Sequence, residues 1–316
     1  MTQPRSLDLQ RHVFPVFLAI ASVGLAGASC GNKSSAAEQK GDQSGAIAAL
    51  DRATLEQEKN EPKKAIEGVD LTPLDASARK AFDRMVDSLR SPCGKAESLR
   101  KSITVSKDCK RSIFAARYVA LMLDEGASED QARELYAKRY VNNEARTVPV
   151  GPSTPHVGSP EAPVKIVEFF DYGCPACAAA APALDRLIKD RGSDIAFYYK
   201  QYPLEQHVDS KGASQAALAA NKQGKHKEMH ELLFQNQRAQ KKDDLVRYAK
   251  QIGLDMDKFL ADYAKAEPTV EADRKDGDTV GVEGTPTIYV NGRMYSGLYE
   301  TRWLESWIDE ELAVNR

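Results

Sequence analysis

K-I-V-E-F-F-D-Y-G-C-P-A-C, residues 165–177, is the stretch from which the rest of this 316-residue chain is read. Ile166 to Phe170 is an apolar run rich in β-branched and aromatic side chains. Pro163 bounds it before, and Asp171, Gly173 and Pro175 after, so it predicts a buried strand ending in a turn. The alanine-rich residues that follow favour a helix, which puts Cys174 and Cys177 in its first turn. There the unpaired N–H groups and the positive end of the helix dipole favour a thiolate at Cys174. Pro175 suits the opening turn because it has no N–H to lose. Two thiols held at this spacing can attack a disulfide, or receive electrons from a dithiol, through a mixed disulfide.

C-x-x-C also serves zinc sites and structural bridges. A tetrahedral metal site wants a second Cys or His pair at ligand spacing, and none lies nearby, so no metal is expected. Farther along, Gly284-Thr285-Pro286-Thr287-Ile288-Tyr289-Val290-Asn291-Gly292 puts a proline at the start of a strand that ends in an Asn-Gly hairpin turn. A strand, a C-P-x-C helix and then T-P before a hairpin resemble the thioredoxin superfamily. More narrowly, the chain resembles its DsbA-like branch, in which a helical insertion separates the two halves. The likeness runs from about Ser159 to Ile308. It includes S-P-E-A-P-V-K-I-V-E-F, F-Y-Y-K-Q-Y-P-L at 197–204, M-H-E-L-L-F at 229–234 and G-V-E-G-T-P-T at 281–287.

The resemblance implies an α/β, thioredoxin-like fold with a helical insertion, preceded here by a small helical domain. It implies Cys174 as the exposed nucleophile, Cys177 as the resolving thiol, and a cis Pro286 lying against them. The Thr285-Pro286 loop, with Pro175, would hold a substrate peptide by main-chain hydrogen bonds. Glu168, six residues before the first cysteine, would be a buried acid moving protons at Cys177; the other reading is an ordinary edge carboxylate. Such exchange needs no cofactor, and no Gly-rich dinucleotide fingerprint follows a strand. Ala176 stands where the strongest oxidants of the branch place His. It offers neither charge nor donor to a thiolate, so a more reducing potential than that of C-P-H-C relatives is expected.

The 44 Lys and Arg nearly balance 46 Asp and Glu, and a net charge of −2 gives no reason to expect nucleic acid as a partner. Residues 1–30 have the form of a secretory signal: Arg5 and Arg11, an apolar run from Val13 to Leu25 too short to stay in a bilayer, then small residues. Two cleavage readings stay open. Ala26-Gly27-Ala28 fits an A-x-A site that would release a soluble protein. Gly27-Ala28-Ser29-Cys30 resembles a bacterial lipobox with Cys30 carrying the lipid, although Gly27 stands where an aliphatic residue is usual. The five cysteines favour the lipid, since acylation of Cys30 leaves four thiols in two neighbouring pairs. Several acyl chains suffice for stable anchoring.

Residues 31–70, rich in small and polar side chains, read as a flexible tether. Residues 71–141 read as the small helical domain, 142–158 as a Pro- and Gly-rich linker, and 159–316 as the DsbA-like domain with its insertion at about 207–280. In the helical domain Phe82, Met85, Val86 and Leu89 recur at helical spacing after a capping Asp75. Ile113, Arg117, Ala120 and Leu121 mark a second helix, and Ser128 with Gln131 a capping box for a third. A bond between Cys93 and Cys109 would close a loop worth about 3 kcal/mol of chain entropy, a structural staple for a small core. The functional alternative is a second redox centre.

His226 and His230, four apart on a helix, lack a third metal ligand, and packing is the expected role of His230. His207 lies in a loop near the expected site, where a charged imidazole would acidify a thiol. Together these features lead us to expect a thiol:disulfide oxidoreductase of the periplasm or cell envelope, exported and anchored by a lipid at Cys30. It would act on cysteine-containing exported proteins and be recycled by a membrane redox partner. The direction of exchange stays open. A reading of another class is a non-catalytic envelope lipoprotein, a thioredoxin-fold binding module serving as chaperone or copper carrier. No His or Met partner for copper stands beside the thiols.

Overall fold

The computed structural model describes residues 66–315, so the signal segment, Cys30 and the tether up to residue 65 lie outside the described residues. The helical domain contains α1 (Ala76–Ser88), a short α2 (Leu99–Lys101) continuing into a wide turn at Ser102–Ser106, α3 (Arg111–Asp124) and α4 (Glu129–Tyr140). Asp75 caps α1 by accepting from Ala78 N–H, and Ser128 and Gln131 form the expected capping box at α4. Cys93 and Cys109 are joined. Beside them Ser91, Ser102 and Ser112 link their buried hydroxyls at 3.0 and 2.8 Å, satisfying polar groups that the small core could not otherwise hold.

Five strands make one sheet: β1 (His156–Val157), β2 (Val164–Phe170), β3 (Ile195–Gln201), β4 (Thr287–Val290) and β5 (Arg293–Met294), in the order β1-β3-β2-β4-β5. Only β2 and β3 pair in parallel, and α5 (Pro175–Arg191) makes the crossover between them. Nothing in the composition of 142–158 foretells β1, because two residues carry no period. At Asn291 and Gly292 both φ angles are positive, as the hairpin between β4 and β5 requires. Between β3 and β4 run α6 (Ser210–Asn221), α7 (His226–Gln235), α8 (Lys242–Gln251), α9 (Met256–Lys265) and α10 (Glu267–Val280), the expected helical insertion. The last helix is α11 (Thr301–Asn315). Among the described residues no helix is long and apolar enough to cross a membrane.

Strand residues alternate between faces. Ile166, Glu168 and Phe170 therefore share one face of β2, and Ile166 and Phe170 belong to one core with Ala180, Leu184 and Leu187 of α5 and Trp303 and Trp307 of α11. Val167 and Phe169 turn the other way, against Val280, Val282 and Tyr289. This parity decides the chemistry, because it puts Glu168 on the same side of the sheet as the helix that carries both thiols.

The helical domain does not keep a core of its own; its buried residues are continuous with Trp303 and Trp307. Arg139, fully buried, donates to Glu310 at 2.7 Å and lies 4.4 Å from the ring centres of both Tyr118 and Trp307. Arg111 and Arg293 also pair with Glu310 and Glu311, and Tyr140 donates its hydroxyl to Glu310 at 2.7 Å. Burial works against the Glu310 charge, yet the guanidiniums of Arg139, Arg293 and Arg111 and the Tyr140 bond hold its carboxyl below the usual range.

Candidate active site

Where β2 ends, Asp171 is fully buried and organises the turn that leads into α5. Its Oδ1 accepts from Gly173 N–H at 2.8 Å, while Oδ2 accepts from Leu204 N–H at 2.9 Å and lies 2.6 Å from His207 Nδ1. Gly173 has no room for a side chain, since a Cβ there would stand 2.7 Å from His207 Cβ. From the loop after α7, Gln237 donates to the carbonyls of Tyr172 and Cys174, both at 2.9 Å. Two segments outside the thiol helix thus fix the backbone on either side of Gly173.

Cys174 is the N-cap of α5, Pro175 follows in its first turn, and Cys177 sits two residues on. Both thiols are free. The expected exposed nucleophile is more covered than its role suggests: Cys174 keeps 6% of its surface and Cys177 none. The cover is the Thr285-Pro286 loop. Its peptide bond is cis, as the resemblance implies, and the Cys174 thiol meets Thr285 O at 3.3 Å.

The two sulfurs are held in opposite protonation states. The hydrogen bond from Cys177, then the Thr285 side chain and the N–H groups of Cys177 and Ala176, bring the Cys174 thiol down to about 5 against its own burial. Burial first, and then the bond given to Cys174 and the charge of Glu168, push the Cys177 thiol far up. Glu168 is buried between Tyr199 on β3 and Ile288 on β4, which excludes the edge-carboxylate reading. Burial, then the nearby Asp185 charge, raise its carboxyl to about 8. A carboxyl poised near neutrality beside a thiol that resists ionising can hold and release that thiol's proton.

His207 meets Asp171 rather than the thiols, so its place is at the turn. His226 and His230 sit in an aromatic cluster with Phe170, Tyr172 and Tyr199, and His230 Nδ1 lies 3.1 Å from the Tyr172 hydroxyl. Burial lowers both imidazoles, His226 to about 4, which keeps them neutral packing groups. The sequence reading takes Asp171 only as the end of the strand, with no role in the site, and does not include Gln237. An Asp two residues before a Gly at a strand end signals an Asx turn; Gln237 has no such signal.

The chain matches the family described as Thioredoxin over residues 151–310. Among curated proteins it is similar to the Na(+)/H(+) antiporter NhaA 1 of Salinispora arenicola, 39% identical over 173 residues, covering 54% of this chain and 26% of that protein. The chain thus spans about a quarter of the length of the curated relatives it matches. Among solved structures it is similar to a thioredoxin-like oxidoreductase from Silicibacter pomeroyi, with 30% identity, a TM-score of 0.45, and coverage of 50% of this chain and 92% of that one. It is also similar to BdbD from Bacillus subtilis, with 25% identity, a TM-score of 0.47, and coverage of 54% and 99%. The stretch matched by the family takes in all five strands and the thiol helix, and the chain belongs to the thioredoxin family.

Proposed function

We propose that this chain is a thiol:disulfide oxidoreductase working through Cys174 and Cys177. The observation that carries the reading is the opposed state of the two sulfurs beside a cis-proline loop: an acidified Cys174 at the helix start and a proton-retaining Cys177 behind it. In the reducing direction the Cys174 thiolate attacks one sulfur of a substrate disulfide; that bond breaks, and the departing sulfur takes a proton. Glu168, in its ionised form, then accepts the Cys177 proton as Cys177 attacks Cys174, and the substrate's second sulfur leaves and takes up a proton. Two electrons pass from the pair to the substrate, and the oxidising direction is the same path reversed. The main chain at Thr285-Pro286, with Pro175 alongside, receives the substrate peptide.

Its setting is read from the sequence: export by residues 1–30, a lipid at Cys30, a place in the periplasm or cell envelope, cysteine-containing exported proteins as substrates and a membrane redox partner for recycling. Insulin reduction tests the chemistry. Cys177→Ser is expected to accumulate mixed disulfides and Cys174→Ser none. Absence of both turnover and trapped partners, with binding intact, would favour the non-catalytic binding module. Intact mass under non-reducing conditions reads out acylation at Cys30.

A further inference from the structure

We infer that Tyr299 is a positioning residue for the Thr285-Pro286 loop, and that the helical domain fixes Tyr299 in place. The inference rests on the reading of that loop as the substrate-peptide rest. It makes the preceding helices part of the site's framework rather than a spacer.

Tyr299 lies in the short connection between β5 and α11 and donates its hydroxyl to Pro286 O at 2.8 Å. A substrate strand that pairs with the main chain at Thr285 needs the next peptide plane held still, and this bond holds its carbonyl. Burial, and then the charges of Glu168, Cys177 and Cys174, raise the hydroxyl's pKa, so it remains a donor at working pH and stands within the field of the reacting groups.

The other end of the connection is held from the helical domain. Tyr118 of α3 donates to Ser296 O at 2.9 Å, and its ring meets Trp303 edge-on at 5.6 Å. Arg139 of α4 lies over both Tyr118 and Trp307, and Trp307 packs 5.4 Å from Tyr295, whose ring lies 5.7 Å from Tyr299. The connection has no slack: a Cβ at Gly297 would come within 2.9 Å of the Tyr295 hydroxyl and 3.0 Å of Trp303. A continuous run of contacts therefore leads from α3 through 295–299 to Pro286.

The test uses the full chain as wild type, Tyr299→Phe, Tyr118→Phe and the double variant. Each is assayed on a disulfide-bonded peptide and on a small aromatic disulfide that has no peptide backbone. Loss of one neutral hydrogen bond at the loop is expected to raise the peptide KM of Tyr299→Phe about fivefold while kcat stays within about twofold. The rate with the small disulfide should not change. Tyr118→Phe should raise the peptide KM about twofold, and the double variant should match Tyr299→Phe alone, because the first residue acts through the second. An unchanged peptide KM in Tyr299→Phe overturns the inference. So does an equal slowing with the small disulfide, which would place the hydroxyl's effect on the thiol. Effects that multiply in the double variant overturn the link to the helical domain. A wild type inert toward both disulfides would instead remove the exchange reading on which all of this stands.

Discussion

Replacing Glu168 with Gln should make the protein more stable and less active, by amounts that depend on pH in a defined way. The carboxyl stands at about 8 in the folded chain against an ordinary 4.5, first because of burial and second because of Asp185. Between those values the folded state holds a proton that the unfolded chain has released. Stability therefore falls as pH rises, by about 1.4 kcal/mol per pH unit, and levels off above pH 8. By pH 7 the accumulated loss is about 3 kcal/mol. Gln has nearly the same shape and no proton to lose. At pH 5 the variant should match wild type to about 1 kcal/mol, and at pH 7 it should be about 3 kcal/mol more stable. Urea denaturation of the reduced protein at pH 5, 7 and 8, followed through the fluorescence of Trp303 and Trp307, reads this out. The same variant cannot accept the Cys177 proton, so the resolving step should slow by about 100-fold and mixed disulfides should persist. A stability gain of equal size at every pH, or a loss at pH 8, would refute the reasoning.

Three further outcomes are expected. With Cys174 at about 5, the pair's potential should fall between the roughly −270 mV of thioredoxin and −120 mV of DsbA, whose nucleophiles titrate near 7 and 3.5. Equilibration with glutathione buffers measures it; Ala176→His should shift it toward the oxidising side, and a wild-type value above −120 mV would contradict the role given to Ala176. Removing the Cys93–Cys109 bond by paired Ser substitutions should cost about 3 kcal/mol in denaturation while insulin reduction continues; loss of turnover in the folded variant would point to a second redox centre. Arg139→Met should destabilise by about 3 kcal/mol because it strips a buried partner from Glu310, and adding Glu310→Gln should restore part of the loss.

What could be read from the chain and what could not divide along the range of the interactions. The thiol turn, the Asn291-Gly292 hairpin and the Ser128 capping box are each specified within a few residues by turn or helix-end chemistry, and the structure has all three. Proline after threonine before a strand marked the cis bond only through resemblance, since no local rule separates cis from trans there. Arg139, Arg293 and Glu310 look like solvent-facing charges, because a sequence reading assigns charge to the surface unless a partner is in view. Their partners lie up to 199 residues away, and the burial that makes the pairing matter exists only after the helical domain and α11 meet. Asp171 with His207 and Tyr299 with Pro286 likewise join different loops, 36 and 13 residues apart, beyond the reach of any turn or helix-end rule. These long-range polar contacts connect the legible pieces. A chain carrying only the local signals would have the thiol turn and the proline loop, but nothing to hold them 3.3 Å apart.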